Sequence, residues 1–265
     1  MVKIMDYAEL PYVKLGRLWL HQIDESQAVK HLLEQVEAGR GGWVVTPNLD
    51  YIRRAQKDDE FLELCQSANL SLADGMPLVW ASKLLKNPLP ERVAGSNLIT
   101  SLSCAAARHG HTIYLIGGDS GTAAAAAEVL KQRCPGLEVV GIDPMPPGFE
   151  KTPNAMEQLI KDLQEKQPAI VFVALGSPKE EMMCRNLSRH LPNMWFLAVG
   201  ISYSYLCGRI KRAPIWMQNC GLEWFYRLLT EPRRLVRRYL VEGIPFAIIF
   251  LLKSAWAGCK MNRKR

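Results

Sequence analysis

Short apolar runs rich in β-branched and aromatic residues recur along the chain: Trp43-Val44-Val45, Leu70-Ser71-Leu72-Ala73, Ile113-Tyr114-Leu115-Ile116, Val139-Val140-Gly141-Ile142, Ile170-Val171-Phe172-Val173 and Trp195-Phe196-Leu197-Ala198-Val199. Most are too continuous for half-exposed strands, which predicts strands buried on both faces of a mainly parallel sheet. Between them the apolar positions follow a helical period at 26–38, 49–66, 76–86, 96–109, 120–134, 154–166 and 179–190. Alternating strands and helices predict an α/β layered domain with helices on both faces of the sheet. The Pro-rich stretch Asp143–Gly148 excludes regular structure and predicts a loop at a strand end.

After Gly208 the pattern changes. No further strand is indicated, and Trp- and Arg-rich helical segments follow, so the chain divides into an α/β domain over 1–208 and a helical appendage over 209–265. The run Ile244–Leu252 is apolar, but Lys253 stops it after nine residues, and a bilayer core needs about 20. Flanked by Arg237, Arg238, Lys253 and Lys260, such a segment predicts a helix lying in a membrane interface; its alternative is a helix packed on the main domain.

Charge sharpens that division. The formal net charge is +7, yet from Arg227 onward ten basic residues stand against two acidic ones, while the rest holds 23 basic and 24 acidic. A near-neutral body with a basic end predicts an anionic surface as partner of residues 227–265. The seven cysteines, at 65, 104, 134, 184, 207, 220 and 259, form no CxxC pair. Their scatter predicts reduced thiols in a cytoplasmic setting and argues against a disulfide framework or a zinc site. The opening Met1–Glu9 carries charge and no apolar core, so no signal peptide is read there.

In open parallel sheets ligands bind at the carboxyl ends of strands, which directs attention to the residues after each run. Those are Thr46-Pro47-Asn48, Ala73-Asp74-Gly75, Gly117-Gly118-Asp119-Ser120-Gly121, Gly176-Ser177-Pro178-Lys179-Glu180-Glu181 and Gly200. Asp74 is either a general base projecting into the cleft or the N-cap of the helix from Met76. Thr46 and Asn48 either bind sugar hydroxyls or hold the Pro47 turn. The Gly117-Gly118 and Gly176-Ser177-Pro178-Lys179 turns offer backbone N–H groups at helix starts, suited to a diphosphate, or else mark tight packing.

The set of motifs as a whole resembles the WecG/TagA/CpsF family of glycosyltransferases. The matches run in order through Thr-Pro-Asn at 46–48, Ala-Asp-Gly at 73–75, Arg-Val-Ala-Gly-Ser at 92–96, Gly-Gly at 117–118 and Gly-Ser-Pro-Lys at 176–179. They continue with Lys-Arg-Ala-Pro at 211–214 and Gly-Leu-Glu-Trp-Phe-Tyr-Arg-Leu at 221–228, leading to Glu-Pro at 231–232. The resemblance implies a Rossmann-like core and an inverting transfer without metal or other cofactor. It implies a UDP-sugar donor, often N-acetylmannosamine or its uronate, and a polyprenyl-diphosphate-linked saccharide acceptor. Asp74 is then the base, with Thr46, Asn48 and Arg92 in the active site. Gly117, Gly118, Gly176, Ser177, Lys179, Glu180 and Gly200 are expected around the donor diphosphate, joined by Arg212, Arg227, Arg233 and Arg234 from the appendage. Asn97, Glu180 and Ile201–Ser204 depart from the family's usual Asp, Gln and Gly-Thr-Phe-Asp, which leaves room for another hexose as donor.

A chain of this kind is expected in the cytoplasm, attached peripherally to the inner face of the cytoplasmic membrane, with no nucleic-acid partner; self-association is left open. Two other readings stand beside it. An NAD-dependent enzyme would need Gly-x-Gly-x-x-Gly after its first strand, a spacing that Gly117–Gly121 lacks. A membrane- or nucleic-acid-bound scaffold would use the basic end alone and bind no nucleotide sugar. No Asp-x-Asp metal motif stands at a strand end, since Asp58-Asp59 falls within a polar helix.

Overall fold

The computed structural model describes residues 10–145, 148–149 and 154–262. The opening Met1–Glu9, Pro146 and Pro147 of the expected loop, and the terminal Arg263–Arg265 lie outside the described residues.

A six-stranded parallel sheet forms the centre, in the order β4-β3-β8-β7-β5-β6. Its strands are β3 (Gly42–Val45), β4 (Leu70–Ser71), β5 (Ile113–Gly117), β6 (Val139–Asp143), β7 (Ile170–Ala174) and β8 (Trp195–Ala198). Side chains alternate across a pleated strand, so each continuous apolar run serves two cores at once. Trp43, Val45, Tyr114, Ile116, Val171, Val173 and Phe196 pack into one cluster. Val44, Ile113, Leu115, Ile170, Phe172, Trp195 and Leu197 pack into the other. Each fully buried apolar side chain of this size contributes about 1.5–3 kcal/mol, which is why the runs are almost wholly apolar. β6 departs from the expected double burial: it is an edge strand, half-buried throughout, with Ile142 exposed.

Helices cover both faces. On the first lie α2 (Leu49–Ala55), α3 (Asp59–Gln66), α4 (Met76–Leu84), α7 (Ala155–Lys166) and α8 (Lys179–His190). On the second lie α1 (Glu25–Glu37), α5 (Gly95–Arg108), α6 (Thr122–Arg133) and the short α9 (Ser202–Leu206). The single helix expected over 49–66 is two, because the Asp58 carboxylate accepts the Phe61 N–H at 2.9 Å and caps a new start. A hairpin of β1 (Tyr12–Leu15) and β2 (Leu18–His21) was not foreseen; Val13, Leu15, Leu18 and Leu20 alternate inward and pack on the first face.

The expectation of uniformly reduced thiols is corrected at one pair. Cys104 on α5 and Cys134 at the C-terminus of α6 form a disulfide, while Cys65, Cys184, Cys207, Cys220 and Cys259 are free. Packing of α5 against α6 brings together two cysteines 30 residues apart. No local spacing marks such a pair.

The appendage comprises α10 (Ile215–Asn219), α11 (Glu223–Thr230), α12 (Pro232–Val236), a π-helical stretch Arg237–Gly243 and α13 (Ile244–Asn262). The nine-residue apolar run Ile244–Leu252 is only part of a longer helix, which corrects the expectation that the segment is too short to span a bilayer. The helix continues past Lys253, and the segment Pro232–Lys260 is long and apolar enough to cross a membrane by length and composition. One face of α13 is nonetheless committed to the domain. Phe250 and Ser254 are buried, Phe246 packs against the first core, and Gly258 lies so close to α4 that a Cβ there would sit 2.0 Å from the Leu84 carbonyl oxygen. These positions recur every four residues and share a helix face. Ile248, Ile249, Leu252 and Trp256 lie on the other side and are exposed.

Candidate active site

The chain goes from β3 to β4 at one side of the sheet, crosses to β5 and β6 at the other, and fills the gap with β7 and β8. The loops leaving the carboxyl ends therefore diverge, which is where an open α/β sheet leaves a crevice. A cavity of about 920 Å³ opens there, lined by Thr46, Asn48, Asp74, Arg92, Gly118, Gly176, Ser177, Glu180 and Gly200 from the domain. The appendage closes it with Glu223, Arg227, Arg234, Arg238, Phe246 and Leu251. The lining is mixed: Asp74, Arg92, Glu223 and Arg227 share it with Met76, Pro77 and Trp80 of α4 and Phe246, Ala247 and Leu251 of α13.

Backbone bonds between strand ends seat the acidic centre. The Asp74 N–H donates to the Pro47 carbonyl at 2.8 Å, and the Val93 N–H donates to the Ala73 carbonyl at 2.8 Å. Asp74 is thereby fixed beside Thr46 and Arg92. It is not a helix cap: α4 is capped by Gly75 without any side-chain bond. Burial pushes the Asp74 carboxyl up to about 6; the anion of Glu223 adds to this, while Arg92, Arg212 and the Gly95 N–H oppose it. A carboxyl poised near neutrality is suited to proton transfer.

Asn48 uses its side-chain oxygen to cap α2, accepting from the Asp50 and Tyr51 N–H groups at 3.0 and 3.4 Å. It lines the cavity as well.

The glycine turns are less available than expected. The Gly118 N–H already donates to the Ala174 carbonyl at 2.7 Å, and α6 starts only at Thr122. Gly117 and Gly118 have positive φ, and a Cβ would fall 2.5 Å from the Ala174 carbonyl oxygen or 2.6 Å from Thr122 Oγ1, so close packing explains both. At the other turn the carboxylate of Glu180 intervenes. Its Oε2 accepts from the N–H groups of Leu175, Gly176 and Gly200 at 3.3, 3.1 and 3.0 Å. The Gly176 and Gly200 donors are thus satisfied by the chain itself, and the Ser177 hydroxyl accepts from Arg54 at 2.9 Å. Lys179 is not at this cavity; it lines a second one with Met182, Met183, Arg185 and Arg189, because the first turn of α8 carries it away. Arg233 lies on the exposed side of α12 and does not line the cavity.

Two buried carboxylates stand next to each other at the start of α8. Burial and the proximity of Glu181 push Glu180 up to about 8. Burial likewise raises Glu181, whose Oε1 accepts from the Tyr51 hydroxyl.

The appendage brings a charge network that the sequence did not reveal. Glu223 binds Arg92 Nη1 at 2.6 Å through Oε2 and Arg212 Nε at 3.2 Å through Oε1, and Arg212 Nη1 donates to Asn97 Oδ1 at 2.6 Å. Arg212 therefore stands behind the cavity wall rather than on its surface. Farther along the rim, Arg53 pairs with Asp50 at 2.7 Å and with Glu242 at 2.9 Å, and Arg238 pairs with Asp50 at 3.0 Å. These bonds tie the π-helical stretch to α2. The one available signal for Glu223 was that it is the sole carboxylate between Lys211 and Arg227. Among the described residues no cluster of three or more His, Cys, Asp or Glu has a metal-holding arrangement.

The same span that builds this cavity matches a family model, described as the glycosyl transferase WecG/TagA/CpsF family, over residues 13–259. The chain belongs to that family. It is a glycosyltransferase, with the Rossmann-like parallel sheet and C-terminal apolar helix described above. A relative from Bacillus spizizenii, N-acetylglucosaminyldiphosphoundecaprenol N-acetyl-β-D-mannosaminyltransferase, is 31% identical over 233 residues, covering 88% of this chain and 87% of its own length. Glycosyl transfer to a lipid-linked acceptor places such enzymes in cell-envelope polysaccharide synthesis.

Proposed function

We propose that this glycosyltransferase moves a sugar, N-acetylmannosamine, its uronate or another hexose, from a UDP-sugar to a saccharide carried on polyprenyl diphosphate, with inversion and without a metal ion. The observation that carries the reading is the cavity itself. A carboxyl poised near neutrality stands with Arg92, Arg227 and Arg234 in its lining, together with apolar residues of the mutually packed α4 and α13. The relative's acceptor is an N-acetylglucosaminyl diphosphate on undecaprenol, and the same class of acceptor suits this cavity. Its sugar reaches Asp74, and the first isoprene units lie against Trp80, Phe246 and Leu251.

In the transfer, Asp74 takes the proton from an acceptor hydroxyl as its oxygen attacks the anomeric carbon from the side opposite the leaving group. The bond to the UDP diphosphate breaks with its electron pair, so negative charge grows on the departing oxygen. Arg92, Arg227 and Arg234 are set to stabilise it as fixed cations in a partly dehydrated site. The metal-free reading rests on this arginine set. Activity is expected to persist unchanged in excess EDTA; loss on chelation with recovery in Mg²⁺ or Mn²⁺ overturns it.

Attachment is proposed to be peripheral, at the inner face of the cytoplasmic membrane. A helix packed lengthwise on α4 keeps one face on the domain and offers Ile248, Ile249, Leu252 and Trp256 to the acyl boundary, with Trp80 and Leu84 of α4 beside it. Arg237 and Lys260 flank that surface with positive charge.

The deciding experiment is mass spectrometry of products from a panel of UDP-sugars with a short-chain prenyl diphosphate N-acetylglucosamine acceptor. Addition of one sugar residue from a member of the panel is expected. An acceptor left unmodified by every donor overturns the reading.

A further inference from the structure

We propose that Glu223 is a positioning residue for the transfer, whose carboxylate gathers Arg92 and Arg212 around Asp74 so that seating of the appendage completes the catalytic set; this rests on the reading of Asp74 as the base.

Glu223 opens α11 and is carried to the domain by Gly221, which has positive φ and lies against Met76 and Trp80 of α4 closely enough that a Cβ would meet Met76 at 2.8 Å. Both its oxygens are used, one on each arginine. The three side chains are all less than a fifth exposed, at 17%, 13% and 19% for Glu223, Arg92 and Arg212. The chain of contacts runs Arg92, Glu223, Arg212, Asn97, so it starts on the residue beside Asp74, passes through the appendage and returns to α5. A tether serving only to fasten the appendage has no need to end on Arg92. The rim pairs Arg53 with Glu242 and Arg238 with Asp50 already fasten it.

The geometry also leaves guanidinium donors unspent. Among the described residues, the buried Nη2 of Arg212 has no hydrogen-bond partner, and Arg92 meets Glu223 through Nη1 alone. A carboxylate that holds Arg92 by one nitrogen fixes its orientation while leaving its other N–H groups to an anion in the cavity; Arg212, behind the wall, holds the carboxylate in place.

Electrostatics gives Glu223 a second consequence. The charged groups facing Asp74 are Arg92, Arg212 and Glu223, with the Gly95 N–H; Arg227, Tyr205 and Glu231 stand in the next layer around Glu223. Burial pushes the Glu223 carboxyl up, but Arg92 and Arg212 more than offset this and hold it below its ordinary value, so it is an anion at neutral pH. Without that anion two uncompensated cations face Asp74, which then gives up its proton at lower pH and is a weaker base.

The test compares full-length wild type, Glu223→Gln and Glu223→Asp for kcat, KM and the pH profile of kcat/KM, with a soluble prenyl-diphosphate acceptor. Glu223→Gln is expected to move the acid limb, near pH 6 in the wild type, downward by about half a unit or more, and to lower kcat about tenfold with a smaller change in KM. Glu223→Asp keeps the charge but shortens the reach, so its limb stays in place while kcat falls. A loss of melting temperature with an unmoved limb and unaltered kcat reduces Glu223 to a structural tether and overturns the proposal. If Glu223→Gln does not fold, the Asp variant alone decides, since wild-type kcat in it also overturns the proposal. Failure of the underlying reading looks different: Asp74→Asn then retains turnover whatever Glu223 does.

Discussion

The cavity has two walls of opposite character. On the sheet-side wall the backbone donors are taken: Glu180 satisfies three of them across two loops, Gly118 bonds to β7, and Asn48 caps α2. The appendage-side wall is rich in charge and incompletely paired, with buried Arg227 Nε and Arg238 Nε lacking hydrogen-bond partners among the described residues. Unpaired buried donors carry a desolvation penalty of about 1–3 kcal/mol each. The sheet side is therefore a scaffold that fixes Asp74 and the floor of the cavity. The appendage side is held at higher free energy, and an anionic ligand is what would lower it. This difference teaches where binding energy is to be gained: on the arginines of the appendage more than on the glycine turns.

The strongest way to break this comparison is at the floor. Asp74→Asn is expected to cut turnover by on the order of 10²–10⁴-fold, measured with the soluble acceptor, while UDP-sugar affinity stays within a few-fold. The same change should raise the melting temperature at neutral pH. A carboxyl raised to about 6 has stability that is fully present below its ordinary value near 3.8 and lost as pH rises through 6, a loss the neutral amide avoids. Near-normal turnover in this variant would show that the base lies elsewhere.

Removing the opposite wall comes next. Deletion from Gly221 takes away Glu223, Arg227 and Arg234 together and is expected to lower kcat/KM on a soluble acceptor about 10- to 100-fold. Deletion of 240–265 spares those residues, so turnover on the soluble acceptor should fall far less while sedimentation with anionic liposomes disappears. Equal activity of the two truncated forms would remove the catalytic role of the arginines and leave them to the membrane. Full-length protein that ignores anionic liposomes would remove the membrane role instead.

The smallest effect sharpens the idea of the sheet side as a scaffold. Glu180→Gln keeps an oxygen for the three N–H donors but removes one of two adjacent buried charges. With Glu180 raised to about 8, its stabilising contribution is present below about pH 4.5 and lost as pH rises through 8. The gain in melting temperature of the variant should therefore grow from about pH 4.5 to about pH 8 and level off above it, by roughly 2–4 °C for each kcal/mol recovered. A gain that is the same at pH 6 and pH 9 would mean the carboxyl titrates elsewhere.

Much of this was legible in the chain. The continuous apolar runs determine a parallel sheet with two covered faces, since residues such as Val44 and Val45 must each find a separate core. Thr46 and Asp74 were legible together, because polar residues after buried strands collect at one sheet edge, and the motif resemblance added Arg92; all three line the cavity. The errors share a cause. Gly118 and Gly176 looked like open donors, yet their N–H groups are taken by Ala174 and Glu180, partners that only the folded loops bring near. Lys179 stood one residue from a cavity residue and points into another cavity, because one step along a helix turns a side chain by about 100°. The Cys104–Cys134 pair and the run of α13 beyond Lys253 escaped notice for the same reason. A single lysine does not end a helix whose other face is packed.

Periodicity and ordered motifs are properties of neighbours along the chain, so the layered α/β fold and the family could be read without the structure. Tertiary structure alone decided which donors remain free, that Glu223 crosses from the appendage to Arg92, and that α13 lies along α4. Each depends on two segments meeting at a distance of a few ångströms, where one carboxylate or one missing Cβ settles the outcome, and no local pattern records such a meeting.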